Sequence, residues 1–377
     1  MVRLYSEIMT EKSFVHLHNH SEFSFIDGSS LLDSMASICN NLGMPAIALT
    51  DHGNMYGAID FYNACKTKNI KPIIGCEFYI APKSRFDKDP SYSYDHLTVI
   101  AKNNLGYSNL IKLVSKGNLE GFYYRPRIDK EILKEHSEGL IVLSGCPSAE
   151  LFKKIVSGDE KSIMDTIDWY KEVFGDDYYL EIMRHEHVDN QEKVNQWIIN
   201  NYKQLNVKIV ATNDNHYETK NDYEKEILLK NVRSGSSNPR SDILEDNSYY
   251  IASPEEMREK FKDVPEACDN TLEIADKCNI EIDFSGTMIP EFKTPENKDS
   301  FLYLKELCEE GLIRKFPEPS EEITDRLNYE LSVIKETDFA DYFLVVWDIF
   351  KFVNSKKILT TLRGSATASL VLYCLDI

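Results

Sequence analysis

Three histidines alternate near the start of the chain, His16, His18 and His20, and Asp27 follows them. Successive residues of an extended strand point to opposite faces, so alternate residues share a face. His18 and His20 can therefore converge on one point, and imidazole is the commonest metal ligand in proteins. Alone, this stretch fits either a metal-binding strand or a histidine-rich strand end without a ligand role.

Residues able to bind metal recur at the ends of short apolar runs through the first 220 residues. There are seven such runs, at 14–18, 46–50, 72–76, 97–101, 140–143, 179–182 and 209–212. The candidate ligands at or beside them are His18, His20, Asp27, His52, Glu77, His96, Cys146, Asp214 and His216. Each residue alone would be a weak signal, but their joint placement predicts a metal centre.

The elements that must position these residues are strands alternating with amphipathic helices. Strand–helix alternation with near-continuous apolar strands indicates an α/β fold with a parallel sheet covered on both faces. Seven units are too many for a small open sheet, so we expect a distorted (β/α)7 barrel related to the TIM type. In such barrels the chemistry lies at the C-terminal strand ends.

The donor set limits the chemistry of this centre. Nitrogen, oxygen and one thiolate suit zinc, and also manganese or iron when carboxylates take part. The set exceeds the needs of one tetrahedral ion, which favours a cluster of two or three ions. Such clusters activate water and polarise phosphoryl groups, so the residues predict phosphoester hydrolysis. Glycine-rich nucleotide loops of the P-loop or Rossmann kind do not compete with it.

Bulk composition excludes several classes of protein. The chain has 377 residues, 42% of them hydrophobic, and a net charge of −19. An apolar run near the ~20 residues of a membrane helix is absent, as is a signal peptide, so we expect a cytoplasmic protein without a membrane partner. Eight cysteines without CxxC spacing suit a reduced compartment. The acidic charge argues against a generally basic nucleic-acid binder but leaves local basic patches open.

The character of the chain changes near residue 285. Gly286, Pro290 and Pro295 punctuate it there, and helical periodicity dominates afterwards. We therefore predict two domains, at 1–284 and 285–377, the second mostly helical.

Several stretches resemble a known family. HLHNHSEFSFIDG, ALTDHGNMYGAIDFY, KPIIGCEFYIA and ATNDNHY resemble the polymerase-and-histidinol-phosphatase (PHP) domain, and more narrowly that of the bacterial DNA polymerase III alpha-subunit family. The segment DFADYFLVVWDIF and the later RGSATASLVLYCLDI resemble the start of the same family's palm domain.

The resemblance implies three divalent ions, zinc, manganese or iron. The first would be held by His18, His20, Glu77 and Asp214, the second by Glu77, His96 and Cys146, and the third by Asp27, His52 and His216. It also implies a 3′-to-5′ exonuclease with Glu77, Asp214 and His216 as catalytic residues. The implied partners are DNA, as a primer–template or a single-stranded 3′ end, and other subunits of the replicative polymerase holoenzyme.

Residues outside the barrel carry weaker expectations. The palm-like loop keeps Arg363, Gly364, Ser365 and Ser369 for nucleotide binding but lacks two glycines of the family pattern. The family's polymerase aspartates are not found before Ile377, so we expect no primer extension from this chain, which would be a fragment of a longer polymerase or a truncated relative.

Basic residues near the barrel mouth are further candidates for DNA contact. Arg125 and Arg127 lie beside Tyr123 and Tyr124, and Lys83 and Arg85 are a second choice. Arginine next to tyrosine suits phosphate contact and base stacking. The alternative is a solvated loop with tyrosines packed beneath it.

Two other functions remain open at this stage. One is a free-standing PHP phosphoesterase that resembles histidinol phosphatases, and the other is a non-catalytic scaffold stabilised by metal. The palm-like C-terminal residues favour the polymerase subunit over the phosphatase, which has no use for them.

Overall fold

The computed structural model describes residues 13–25, 27–91, 93–234, 247–285 and 289–377. Contacts divide the chain into two compact units, a first that ends at Ile282 and a second from Asp283 to Ile377. The assignment of domains at 1–284 and 285–377 stays a prediction.

The first unit alternates strands and helices. Its strands are β1 (Ala46–Leu49), β2 (Lys71–Ile80), β3 (Asp95–Ala101), β4 (Phe122–Tyr123), β5 (Arg125–Ile128), β6 (Leu140–Leu143), β7 (Tyr178–Ile182) and β8 (Lys208–Ala211). Its helices are α1 (Leu32–Asn41), α2 (Ala58–Thr67), α3 (Asn104–Leu119), α4 (Lys130–Glu135), α5 (Glu150–Ser157), α6 (Glu160–Phe174), α7 (Gln191–Leu205), α8 (Tyr223–Ser234), α9 (Pro254–Lys260) and α10 (Glu266–Lys277).

The helices form where apolar residues recur at helical spacing. In α1, Leu32, Met35, Ala36 and Cys39 are buried, and this spacing places them on one face. The start of α3 is fixed by Asn103, whose side chain accepts a hydrogen bond from the Gly106 amide at 3.0 Å. The buried faces pack on the outer side of the sheet.

The strands form one curled, mixed sheet of order β4-β5-β2-β3-β6-β7-β8, with β1 also paired to β2. Extended residues 14–20 join its two ends. On one side the Ala48 amide donates to the His16 carbonyl at 2.9 Å, and on the other the His20 amide donates to the Asn215 carbonyl at 2.7 Å. The first apolar run therefore lies between β1 and the residues after β8, and the predicted distorted α/β barrel is confirmed.

The prediction of a parallel sheet is wrong at two strands, the short β4, which runs antiparallel to β5, and the longer β3. β3 runs antiparallel to both of its neighbours, β2 and β6. The described residues between β2 and β3 contain no helix, so the chain returns directly beside β2 rather than crossing over. A direct return gives an antiparallel pair, whereas a parallel pair requires a crossover connection.

The barrel interior has an apolar end and a polar end. One face of the strands carries an apolar cluster that includes Ile73, Ile100, Tyr179 and Val210. Side chains alternate between faces along each strand. Glu77, Thr98 and Glu181 lie an even number of residues from members of that cluster, so they continue the same interior face beyond it.

The second unit is mostly helical, as predicted. It contains α11 (Ser300–Lys315), α12 (Glu321–Glu336), α13 (Ala340–Ser355) and the short α14 (Leu370–Cys374). Its own core includes Leu304, Cys308, Leu331, Leu344 and Val371. Among the described residues, the helices are all too short or too polar to cross a membrane.

Candidate metal centre

Glu77 is the central residue of the polar end of the barrel. Its carboxylate is 1% exposed. Oε1 lies 3.0 Å from His96 Nδ1 and 3.3 Å from Cys146 Sγ. Oε2 lies 2.7 Å from His52 Nδ1 and 3.3 Å from His20 Nε2. One carboxylate on β2 thus contacts residues that follow or begin four different extended segments.

Asp214 closes the same cluster from the far side of the barrel. Its Oδ1 lies 3.3 Å from His18 Nε2 and 3.2 Å from His20 Nε2. The backbone of Asp214 is left-handed, with φ 47°, a conformation that aspartate tolerates better than most residues. The turn after β8 therefore directs this carboxylate into the barrel.

A third group surrounds Asp27. Its Oδ1 lies 3.3 Å from His52 Nε2, and its Oδ2 lies 4.0 Å from His216 Nε2. The His52 ring stacks on the His20 ring with centroids 4.0 Å apart. The nine predicted ligands are thus linked by contacts through Glu77, Asp214 and Asp27.

The charges of the cluster depend on one another. Burial opposes ionisation of Glu77, but the neighbouring His96, His52 and His18 outweigh burial and hold the pKa of Glu77 well below its ordinary value. The pKa of Asp214 is likewise lowered, against its burial, by His18 and His216. The carboxylates are therefore anionic and ready to bind cations.

Three of the histidines are held through Nδ1. His18 Nδ1 donates to Glu181 Oε1 at 2.8 Å, His20 Nδ1 to Ser24 Oγ at 3.0 Å, and His216 Nδ1 to the Asp214 carbonyl at 2.7 Å. A hydrogen bond at one ring nitrogen selects the tautomer and presents the other nitrogen as a ligand. The Nε2 atoms of His18, His20 and His216 face the three carboxylates described above.

The hydrogen bonding of the cluster indicates whether its side chains can bind divalent metal ions. Within the described residues, six buried atoms of this cluster make no hydrogen bond of normal geometry: His18 Nε2, His20 Nε2, Asp27 Oδ1, His52 Nδ1, Glu77 Oε2 and Asp214 Oδ1. Buried polar atoms almost always have partners, and leaving them without one costs about 1–3 kcal/mol each. Divalent cations satisfy such a set of nitrogen and oxygen donors, so these residues fit metal.

Three overlapping triplets have ligand atoms within 4.8 Å of one another. They are His18 with His20 and Asp214, His20 with His52 and His216, and His52 with Glu77 and His96. The triplets share members with the three ion sites implied by the family resemblance but do not coincide with them. The structure therefore supports metal binding here and leaves the number of ions and the partition of ligands as predictions.

Glu181 is a supporting residue that the sequence prediction missed. It is 4% exposed. Besides His18, its Oε1 accepts from Thr212 Oγ1 at 2.6 Å, and its Oε2 accepts from the Gly145 amide at 2.9 Å. It thus fixes His18 and also the loop that carries Cys146. The sequence offered one indication of this role, since Glu181 lies inside the sixth apolar run, two residues after Tyr179. A carboxylate within a buried strand needs a hydrogen-bond partner.

Asp51 supports the first loop in the same way. Its carboxylate accepts from the Ser21 amide at 2.7 Å and from Ser24 Oγ at 2.7 Å. Because Ser24 in turn accepts from His20, Asp51 helps to orient this candidate ligand.

His16 and His185 are two of the histidines that stand outside the cluster. His16 Nε2 lies 2.8 Å from the Ala252 carbonyl, and burial lowers its pKa to about 4, so His16 is a neutral link between segments. His185 stacks on Tyr249 with centroids 3.9 Å apart and lies 2.6 Å from Ser248 Oγ through Nδ1.

The predicted DNA-contacting arginines differ in position. Arg127 is 2% exposed and donates to the Gly121 and Asp87 carbonyls, while the buried Arg85 pairs with Asp129 and Glu120. These contacts hold loops together, and a DNA-contacting role for either arginine stays a prediction. Arg125 instead is half-buried, with its guanidinium 5.8 Å from the centre of the Tyr79 ring.

Tyr79 links Arg125 to the metal centre. Its ring lies 5.1 Å from the His96 ring and 5.9 Å from the His52 ring. Arg125 therefore stands beside the cluster, and its contact with DNA stays a prediction. Lys83, in the loop after β2, is exposed.

The predicted nucleotide-binding residues of the second unit lie on its surface. Arg363, Gly364 and Ser365 are exposed, and a 3-10 turn spans Gly364–Ala368. Ser369 caps α14 by accepting from the Leu372 amide at 3.2 Å and donates to Glu330 Oε2 at 2.9 Å. Ser369 is thus already engaged in packing, whereas Arg363, Gly364 and Ser365 lie at the surface.

Comparison with known proteins agrees with this arrangement. Residues 16–185 match the PHP domain family, and residues 302–377 match the family described as bacterial DNA polymerase III alpha NTPase domain. One solved structure, a Bifidobacterium adolescentis protein described as a metal-dependent phosphoesterase, aligns at 13% identity and a TM-score of 0.36, over 66% of this chain and 96% of that chain.

Curated relatives align over almost the whole chain. DNA polymerase III subunit alpha of Borreliella burgdorferi is 42% identical over 97% of this chain and 32% of the relative. The same subunit of Treponema pallidum is 40% identical over 98% and 32%, and that of Campylobacter jejuni is 38% identical over 97% and 33%. This chain spans about a third of the length of these relatives. It therefore carries a PHP domain and belongs to the family of bacterial DNA polymerase III alpha subunits.

Proposed function

We propose that this chain is part of a DNA-directed DNA polymerase of bacterial replication and that its barrel hydrolyses phosphodiesters from the 3′ end of DNA. One observation carries the proposed hydrolysis: three carboxylates and several imidazole nitrogens converge at the polar end of the barrel. Six buried atoms of these side chains make no hydrogen bond of normal geometry. The first part is supported by relatives that align over 97% of the chain.

The centre would hold divalent ions, with three ions of zinc, manganese or iron as the proposed number and kinds. Their ligands would be His18, His20, Asp27, His52, Glu77, His96, Cys146, Asp214 and His216. When bound, such ions polarise a phosphoryl oxygen and lower the pKa of water toward neutrality.

The residues of the chain supply position and charge. Glu77 lies between the other groups and balances their positive charge, which makes it, with Asp214 and His216, the proposed catalytic set. Glu181 keeps His18 in one tautomer, and Ser24 does the same for His20. Arg125 supplies a cation beside Tyr79 that can contact a backbone phosphate of the substrate.

The proposed substrate is a single-stranded 3′ end or the end of a primer–template. The proposed partners are the other subunits of the replicative holoenzyme. Both proposals follow from the names of the relatives, of whose length this chain spans about a third.

The proposal is tested with Asp214→Ala and His216→Ala in the full chain, supplied with manganese or zinc. The wild-type chain is expected to shorten a 5′-labelled single-stranded oligonucleotide from its 3′ end, and each variant to lose this activity by more than ~100-fold, beyond the usual effect of outer-sphere changes. Asp325→Ala, an exposed aspartate of α12, is the matched control and should act like wild type.

Other outcomes would favour other functions. Hydrolysis of a small phosphate monoester without cleavage of DNA would favour a phosphoesterase that resembles histidinol phosphatases. Bound metal without either activity would indicate a scaffold.

A further inference from the structure

Two aromatic rings are exposed at the rim of the candidate metal centre. Phe25 is 61% exposed and Tyr56 is 63% exposed, and their ring centroids lie 6.4 Å apart. Phe25 precedes Asp27 by two residues, and Tyr56 follows His52 by four. We propose that Phe25 and Tyr56 form a stacking surface for unpaired bases at the 3′ end of single-stranded DNA, an inference that rests on the proposed function and specifies how its substrate is held.

The two loops that carry these rings are fastened to each other. The Asn54 side chain, 7% exposed, donates to the Phe23 carbonyl at 3.0 Å and to the His52 carbonyl at 3.0 Å. Its own oxygen accepts from the Tyr56 amide at 3.1 Å. One amide side chain thus sets the spacing between the Phe25 loop and the Tyr56 loop.

Further contacts join the rings' loops to the metal ligands. The His52 amide donates to Ser24 Oγ at 3.1 Å, the same hydroxyl that holds His20. A Cβ built at Gly57 would come within 2.8 Å of the Phe23 ring, so the second loop lies directly against the first. Loops held this way lose little backbone conformational freedom on binding a ligand.

The chemistry of the rim favours bases over phosphates. Glu22, three residues before Phe25, is exposed, and its negative charge disfavours a bare phosphate backbone there. Neutral aromatic faces attract bases by stacking, and they do so with little sequence preference because every base has a π-face. The scissile phosphate would then enter the metal-loaded centre, beside which Arg125 lies.

The test uses a single-stranded oligonucleotide whose 3′-terminal base is 2-aminopurine and whose last linkage is a slowly cleaved phosphorothioate. Stacking quenches the fluorescence of this base. We expect the zinc-loaded wild-type chain to quench it, and Phe25→Ala with Tyr56→Ala to abolish the quenching and to raise the apparent Kd about tenfold or more, the usual scale for losing base–aromatic stacks.

Matched variants separate stacking from other effects. Tyr56→Phe keeps the ring and should keep the quenching, while Tyr329→Ala removes a tyrosine of the second unit that is 62% exposed and should change nothing. With a cleavable oligonucleotide, the double variant should raise KM more than it lowers kcat.

The outcomes distinguish this inference from the proposed function. Equal quenching by the wild-type chain and the double variant, or none by either, overturns the stacking surface even when DNA is degraded. Quenching that depends on the two rings in a chain that degrades no DNA supports the stacking surface and overturns the exonuclease.

Discussion

Two regions of the molecule were expected to handle phosphate groups, and they are built differently. The polar end of the barrel buries its charged side chains and fixes them with a further layer of hydrogen bonds, such as that from His18 to Glu181. The segment from Arg363 to Ser365 in the second unit lies exposed on a 3-10 turn. A site is preorganised in the first region, whereas the second offers isolated groups at a surface.

The difference shows what a self-contained site requires. Burying Glu77 and Asp214 is costly unless partners surround them, and the barrel supplies those partners from its own strands. Exposed charged residues remain hydrated and carry no such burial cost, so the fold does not need to supply partners for them. Four predictions test this contrast between the two regions.

Metal removal should destabilise only the first unit. A ligand at 100 times its Kd adds about 2.7 kcal/mol of stability, and for a domain of this size that corresponds to a shift of about 5 °C in Tm. Calorimetry with manganese or zinc, and again with a chelator, should move the melting transition of the barrel and leave that of the helical unit in place. A common shift of both transitions, or none, would contradict the assignment of the metal to the barrel.

Glu181→Gln should weaken metal binding without removing a ligand. Loss of the carboxylate that orients a ligating histidine costs about 10–100-fold in metal affinity, which titration of the apo chain with zinc would measure. Glu273→Gln is a suitable control, since Glu273 accepts from Tyr179 Oη at 2.9 Å on the same strand and belongs to none of the ligand groups. Equal affinities for both variants would show that Glu181 serves only the fold.

Glu330 should make the second unit sensitive to acid. Burial opposes its ionisation, but the Val371 amide and Arg326 lower its pKa below the ordinary value of 4.5. A lowered pKa in the folded state stabilises the fold above the ordinary value, and this stabilisation is lost as the pH falls below about 4.5. The free energy of unfolding should therefore drop by about 1 kcal/mol more in wild type than in Glu330→Gln, as urea titrations at pH 6 and pH 3.5 would show.

Substitution of two residues of the predicted nucleotide loop, Ser369 and Arg363, should lower the stability of the second unit by different amounts. Ser369→Ala removes a helix cap and should cost about 1 kcal/mol, whereas Arg363→Ala, at an exposed position, should change stability by less than about 0.5 kcal/mol. Chemical denaturation of the second unit measures both. Equal losses would mean that Arg363 is part of the packing, and the contrast between the two regions would weaken.

Much of the barrel could be predicted from local patterns. Six of the seven apolar runs overlap β1, β2, β3, β6, β7 and β8. The remaining run, at 14–18, lies within the extended segment at residues 14–20. The contacts around Glu77, Asp214 and Asp27 also join the nine residues chosen from strand ends, although their roles as ligands stay predictions. Strand ends are readable because apolar runs stop where polar residues begin.

Features that depend on contacts between distant parts of the chain were harder to predict from the sequence. The buried pairings of Arg85 and Arg127 depend on residues such as Asp129 and on loop carbonyls that no local pattern reveals. The reversal of β3 had one available signal: His96 stands at the beginning of its run, whereas the other candidate ligands stand at or after the ends of theirs. A ligand at the wrong end of a strand indicates that the strand runs the other way.

That reversal has a consequence for how the sequence can change during evolution. Glu77 pairs with Thr98 and His96 with Tyr79 in the ladder between β2 and β3, so the hairpin itself sets the distance between two metal-binding candidates. A one-residue deletion within either strand would turn one of them to the opposite face. Insertions in the loop at 81–94 leave the register intact, so we expect relatives to vary in length there and to keep the strands uninterrupted.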